Sequence, residues 1–227
     1  MKPETNTNHT GGNHTAPQTH RPAPGGTAVR NVVFDLGGVL IDWNPRYLYS
    51  QLEPDAEQVE WFLNNVCHHE WNEQQDAGRS FEEAVAERVA AHPEHEAWIR
   101  MYYDRWEDML GGAIEDSVAI LAELRERGVP LFALTNWSAQ TFPRACELFP
   151  FLGWFDGVVV SGEVKLIKPH PEIYEHLVET HGLRPEESVF IDDRLPNVEA
   201  ARALGFHGIH FQSPEGLRAG LEKLGLL

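Results

Sequence analysis

Asp35 is the lone carboxylate in the apolar run Val32-Val33-Phe34-Asp35-Leu36, and Gly37-Gly38 follow it directly. A buried strand does not hold a solitary charge without a partner or a task, so Asp35 reads as a functional acid. Polar residues recur beyond later apolar runs: Thr135-Asn136, then Lys165 and Lys168, then Asp192-Asp193. In a parallel sheet the carboxyl ends of the strands share one edge, where ligands bind. These positions would gather there three carboxylates, one or two amines, a hydroxyl and an amide. Carboxylates without adjacent His or Cys favour a hard cation with oxygen ligands, and Mg²⁺ is the default. A metal beside a carboxylate suits phosphoryl transfer, with the carboxylate as nucleophile in a covalent intermediate. A lysine and a hydroxyl can hold the remaining phosphate oxygens. Taken singly, Thr135 could be an ordinary strand residue and Lys168 a surface lysine. The Asp192-Asp193 pair, placed directly after Ser188-Val189-Phe190-Ile191, is harder to explain without a cation.

The elements that must position these groups alternate. The β-branched and aromatic run over 30–40 predicts a buried strand ending in a tight turn, followed by a loop through Asp42, Trp43, Asn44 and Pro45. From there to Gly112 the pattern is helical with no good strand. It includes a helix over 55–66, a capping box at Ser80 and Glu83 with Phe81, Val85 and Val89 inward, and a helix opening at Pro93 with Trp98, Met101, Tyr102 and Met109 as its stripe. After Gly112, helices over 115–127, 138–148, 171–181, 197–204 and from 213 on alternate with strands over 129–135, 157–161, 188–191 and 206–212. Alternation of this kind implies an α/β fold: a Rossmann-like parallel sheet with helices on both faces. The helical block is then an insertion after the first strand. The expected division is a disordered tail over 1–28, a core over 29–44 and 113–227, and a cap over 45–112.

The chain has 227 residues, a 42% hydrophobic fraction and a formal net charge of -17. Those figures allow a real core and argue against a nucleic-acid or anionic-membrane partner. Cys67 and Cys146 lack metal-like spacing and read as buried thiols in a reducing compartment. No apolar run is long enough to span a bilayer and the start lacks a signal-peptide core, so a cytoplasmic location is expected. His9, His14 and His20 lie in the tail at spacings that suit no helix face.

The stretches VVFDLGGVL, LTN, KPHPEIY and VFIDD, in that order, resemble the four motifs of the haloacid dehalogenase superfamily, most of whose members are Mg²⁺-dependent phosphatases. The resemblance covers all but the tail, and the helical block looks like the type 1 cap of subfamily IA. The chain is similar in particular to bacterial glucose-1-phosphatase-like enzymes and to the phosphatase domain of soluble epoxide hydrolases. It implies Asp35 as nucleophile and metal ligand, with Thr135 contacting phosphate and Asn136 beside it. It selects Lys168 over Lys165, because the family lysine directly precedes a proline, and it makes Asp193 the direct metal ligand with Asp192 in support. It also implies a small phosphorylated metabolite as substrate, with sugar phosphates among the candidates, and Mg²⁺ as cofactor.

One position departs from the pattern. Phosphatases of the superfamily usually carry a second aspartate two residues after the nucleophile, which protonates the leaving group; here Gly37 stands there. Glycine can offer a backbone carbonyl to the metal but cannot act as an acid. A cap residue, water or Asp42 would have to substitute, or the leaving group would need less protonation. Two alternatives stay open: a metal-independent 2-haloacid dehalogenase, against which the charged Asp192-Asp193 pair argues, and a non-catalytic metabolite-binding relative. Trp43, Trp71, Arg79 and Trp137 are the expected pocket-lining residues.

Overall fold

The computed structural model describes Met1, residues 28–53 and residues 55–227. The tail expectation, and with it His9, His14 and His20, lies outside the described residues.

Alternating burial sets the architecture. Strand β1 (Asn31–Phe34) is apolar on both faces, as a central parallel strand must be. The chain then turns at Gly37-Gly38 into β2 (Ile41–Trp43) and runs through α1 (Arg46–Leu52), α2 (Ala56–Asn65), α3 (His69–Asp76), α4 (Phe81–Ala91) and α5 (Glu96–Asp104). It returns by β3 (Leu110–Ala113). The βα units follow: α6 (Glu115–Glu126), β4 (Leu131–Thr135), α7 (Phe142–Leu148), β5 (Gly157–Val160), α8 (Ser161–Val164), α9 (Pro171–His181), β6 (Ser188–Asp192), α10 (Leu195–Ala203), β7 (His207–His210) and α11 (Pro214–Lys223).

The main sheet has the order β5-β4-β1-β6-β7 and every pairing in it is parallel. Val32 and Phe34 point into one core layer with Leu121 and Leu217; Val33 points into the other with Ile173 and Ala201. The helical block packs on a core of its own, in which Tyr49, Phe62, Trp71 and Tyr102 are central. No helix among the described residues is long and apolar enough to cross a membrane.

Several expectations are corrected. The first strand ends at Phe34, and residues 41–43 form a separate strand rather than a loop. The Leu36 carbonyl accepts hydrogen bonds from Leu40 and Ile41, which folds the chain back on itself after Asp35. The helical block is also not free of strands at its borders, since β2 and β3 pair antiparallel across them. Pro93 opens a short 3-10 turn, and Met109 lies beyond the end of α5. Ser138 does not cap α7, which starts at Phe142; its hydroxyl accepts from the Gln140 N–H instead. Cys67 is buried, but Cys146 is exposed. The capping box at Ser80 and Glu83 is present, and Gly182 closes α9 in the left-handed conformation.

Candidate active site

The sheet brings the ends of β1, β4 and β6 side by side, with β1 between the other two. Asp35, Thr135 and Asp192 therefore converge from segments far apart in sequence. Lys168 reaches them from the loop before α9. It is 1% exposed, so the surface alternative does not hold for it. Its ammonium donates to the Leu134 carbonyl at 2.9 Å, to Asp192 Oδ2 at 2.7 Å and to Asp35 Oδ2 at 2.9 Å. All three of its N–H donors are thus engaged. Lys165 is instead the left-handed residue that ends α8.

Asn136 clamps the lysine from behind. Its Nδ2 donates to the Lys168 carbonyl at 3.0 Å, and its Oδ1 accepts from the Lys168 N–H at 2.9 Å. Asp192 is fully buried and saturated: Oδ1 accepts from the Arg194 N–H, both oxygens accept from Asn197 Nδ2, and Oδ2 accepts from Lys168. Asp35 Oδ1 accepts from the Leu36 N–H at 2.7 Å. Asp193 is more open, with its carboxylate against Gly38.

One ammonium thus serves two buried carboxylates, with a third nearby. Burial pushes the Asp35 carboxyl well above the usual carboxylate range; Lys168 opposes this, while Asp192 and Asp193 add to it. Burial pulls the Lys168 ammonium down, but Asp35 and Asp192 outweigh it and keep the amine charged. Oxygens of Asp35, Asp192 and Asp193 lie within 4.8 Å of one another. An all-oxygen cluster with surplus negative charge fits a hard divalent cation. A second mark of an incomplete site is Thr135, whose Oγ1 is buried and has no hydrogen-bond partner. Such a hydroxyl calls for a ligand or water.

Over this cluster lies a cavity of about 320 Å³ whose lining includes Asp35, Gly37, Lys168 and Asp193 below and Trp43, Asp76, Phe81 and Tyr103 above. Trp137 also lines it, as expected, but Trp71 and Arg79 do not. Trp71 is wholly inside the helical block, and Arg79 is tied to Gln75 and Glu87. Asp42 accepts from the Tyr47 hydroxyl and is absent from the lining, so it is no substitute acid.

Sequence reasoning missed the polar residues of α3 and their anchors. Glu73 Oε1 pairs with Arg194 of the sheet edge at 3.0 Å and with His69 at 3.0 Å. Ser161 donates to the Asp76 carbonyl at 2.5 Å and accepts from the Trp137 N–H at 2.9 Å, which joins α3, β5 and the loop after β4. Ser161 carried a weak signal, as a polar residue at a strand end; α3 carried none.

Gly38 supplies a first test. It has φ of +73°, and a Cβ there would sit 2.5 Å from Asp193 Oδ2. Gly38→Ala is expected to cost about 1 kcal/mol or more in urea unfolding and to lower turnover by displacing that carboxylate.

The comparisons with known proteins agree with one another. Residues 29–205 match the family described as haloacid dehalogenase-like hydrolase. A sesquiterpene phosphatase of Aspergillus oryzae is 28% identical over 191 residues, covering 81% of this chain and 90% of its own. The N-acylneuraminate-9-phosphatase of Rattus norvegicus is 30% identical over 189 residues, covering 74% and 75%. A crystal structure from Bacteroides thetaiotaomicron, a complex with magnesium and inorganic phosphate, shares the fold at TM-score 0.63 and 24% identity, covering 81% of this chain and 94% of that one.

Proposed function

The chain belongs to the haloacid dehalogenase-like hydrolase family, and from that premise we propose that it is a Mg²⁺-dependent phosphatase of small phosphomonoesters. The observation that carries the reading is the buried Asp35 beside Lys168, both lining the cavity, with the unpaired Thr135 hydroxyl at the end of the neighbouring strand. The phosphatase relatives support the reaction class.

In this reading Asp35 attacks phosphorus and forms an aspartyl-phosphate, which water then cleaves. Thr135 Oγ1 donates to a phosphoryl oxygen. Lys168 holds Asp35 in line and shares its charge with the transferring group. Asn136 fixes Lys168. The Gly37 carbonyl, Asp35 and Asp193 would hold the cation, and Asp192 would orient the site around it. Bound there, Mg²⁺ would neutralise phosphoryl oxygens and keep the nucleophile anionic. Residues 45–112 act as the cap, and their aromatic wall packs on the alcohol. The two relatives' names point to unlike alcohols, a terpenoid and a sugar acid. Phe81, Tyr103 and Trp137 could lie flat against either a sugar ring or an apolar chain.

Phosphate release from sugar 1- and 6-phosphates, nucleotides, prenyl phosphates and p-nitrophenyl phosphate, with Mg²⁺ and with EDTA, tests this. Release that EDTA abolishes and Mg²⁺ restores is the expected outcome. Halide release from 2-haloacids without phosphate release would favour the dehalogenase alternative.

A further inference from the structure

A Cβ at position 37 would meet no steric obstacle, since nothing lies within 4 Å of it. The chain nevertheless has glycine, and the site's floor offers no free acid: the Lys168 ammonium is committed to the Leu134 carbonyl, Asp192 and Asp35. Asp35 is the nucleophile, Asp192 is saturated by four donor contacts, and Asp193 sits with the cation set. A protein acid for this site therefore has to be sought in the roof of the cavity.

The roof carries Glu73, His69, Asp76, Tyr102 and Tyr103 as titratable groups. Glu73 is paired with both Arg194 and His69, and His69 is exposed at that pairing. The Tyr103 hydroxyl accepts from Gln75 Nε2 at 2.7 Å and faces Asn72 Oδ1 at 3.3 Å. Burial raises both Tyr102 and Tyr103 above the ordinary tyrosine value. Asp76 remains. It is the last residue of α3, lines the cavity with Asp35 and Lys168, and forms no ion pair among the described residues. Its carboxyl is held by Asn72 Nδ2 at 3.2 Å and by the Ser138 N–H, and its backbone carbonyl is pinned by Ser161. Both Ser138 and Ser161 belong to the sheet edge that carries the nucleophile, so the carboxyl is fixed relative to the floor.

We propose that Asp76 is the catalytic acid and base of this site, taking the place of the aspartate missing at Gly37. This rests on the phosphatase reading. In the first half-reaction Asp35 bonds to phosphorus, the bond from phosphorus to the alcohol oxygen breaks, and Asp76 gives its proton to that oxygen. The products are an alcohol, the aspartyl-phosphate and the Asp76 carboxylate. In the second, that carboxylate takes a proton from water as the water oxygen bonds to phosphorus and the bond to Asp35 breaks. Phosphate leaves and Asp76 is protonated again.

The environment of Asp76 suits a group that must both give and take a proton. Desolvation pushes it up to about 7; Glu73 on the same helix adds to this, while the Ser138 N–H and Lys168 across the cavity oppose it. Tyr102 and Tyr103 of α5 are the other titratable neighbours that feel its charge. A donor near the working pH is the most effective one.

The test compares an alkyl phosphate, whose leaving oxygen needs a proton, with p-nitrophenyl phosphate, whose leaving group does not. Asp76→Asn is expected to lower kcat/KM on the alkyl ester by about 10²-fold or more and on the nitrophenyl ester by far less. Asp76→Glu should restore part of the alkyl activity. In the parent, kcat/KM on the alkyl ester should fall as pH rises past about 7, with no matching fall for the nitrophenyl ester. This pH arm needs no variant and decides the matter even if Asp76→Asn does not fold. Equal losses on the two esters, or the same pH profile for both, would overturn the assignment while leaving the phosphatase reading standing. A parent that releases phosphate from no ester would refute that reading and this assignment with it.

Discussion

Replacing Asp35 by asparagine is expected to lower phosphate release by about 10⁴-fold or more, the scale seen when a nucleophile is removed, without lowering the thermal midpoint. The two halves of the expectation share one cause. Asp35 is 7% exposed and sits with Asp192 and Asp193, so its ionised form is held against desolvation and like charge. Asparagine keeps the shape and the contact to the Leu36 N–H while removing that charge. It leaves Lys168 to Asp192 alone, a better-balanced pair. An amide cannot form the acyl phosphate. Phosphate release and a melting curve on the same preparation check both halves, and retained turnover would refute the nucleophile assignment.

Lys168→Met should have the opposite signature: turnover and stability lost together. The ammonium is the partner of two buried carboxylates, at 2.9 Å to Asp35 and 2.7 Å to Asp192. Removing one member of a buried ion cluster leaves uncompensated charge, which costs about 3–5 kcal/mol, a large share of an ordinary domain's stability. The pH dependence has a definite sign. Without the cation that opposes burial, the Asp35 carboxyl binds a proton more readily folded than unfolded, so this group makes the variant's stability rise as pH falls. Urea unfolding of parent and variant at pH 5 and pH 8 is the measurement, and the gap should be smaller at pH 5. An equal gap at both would mean that lost packing, not unpaired charge, is responsible.

Much of this site was legible in the sequence for a physical reason. In a parallel α/β sheet the functional groups sit where apolar strands stop, and the stop is written locally. Asp35, Thr135 and Asp192 each follow a run that has to be buried, and the structure puts all three on one edge. The βα alternation from Glu115 onward, the capping box at Ser80 and the glycine after α9 were equally local. What burial alone could not give is which lysine turns inward. The pattern left Lys165 and Lys168 equivalent, and the motif resemblance chose between them; the buried ammonium of Lys168 agrees with that choice.

The tertiary structure decided the rest. Residues 69–76 read HEWNEQQD, a polar helix that looks like a solvated face. Only packing against Ser138 and Ser161 turns one side of it into the roof of a cavity and desolvates Asp76. A carboxyl's proton affinity depends on what surrounds it in space, and sequence spacing carries no record of that between Asp76 and Lys168. The pairing of β2 with β3 was hidden for the same reason, since strands of three and four residues earn their hydrogen bonds from each other and not from their own pattern. The sequence by itself determined the parallel-sheet core and the set of groups at its edge, because burial and strand termination are local. The packing of the helical block over that edge, which brings Asp76 into the same cavity as Asp35 and Lys168, is long-range, and only the fold brings it about.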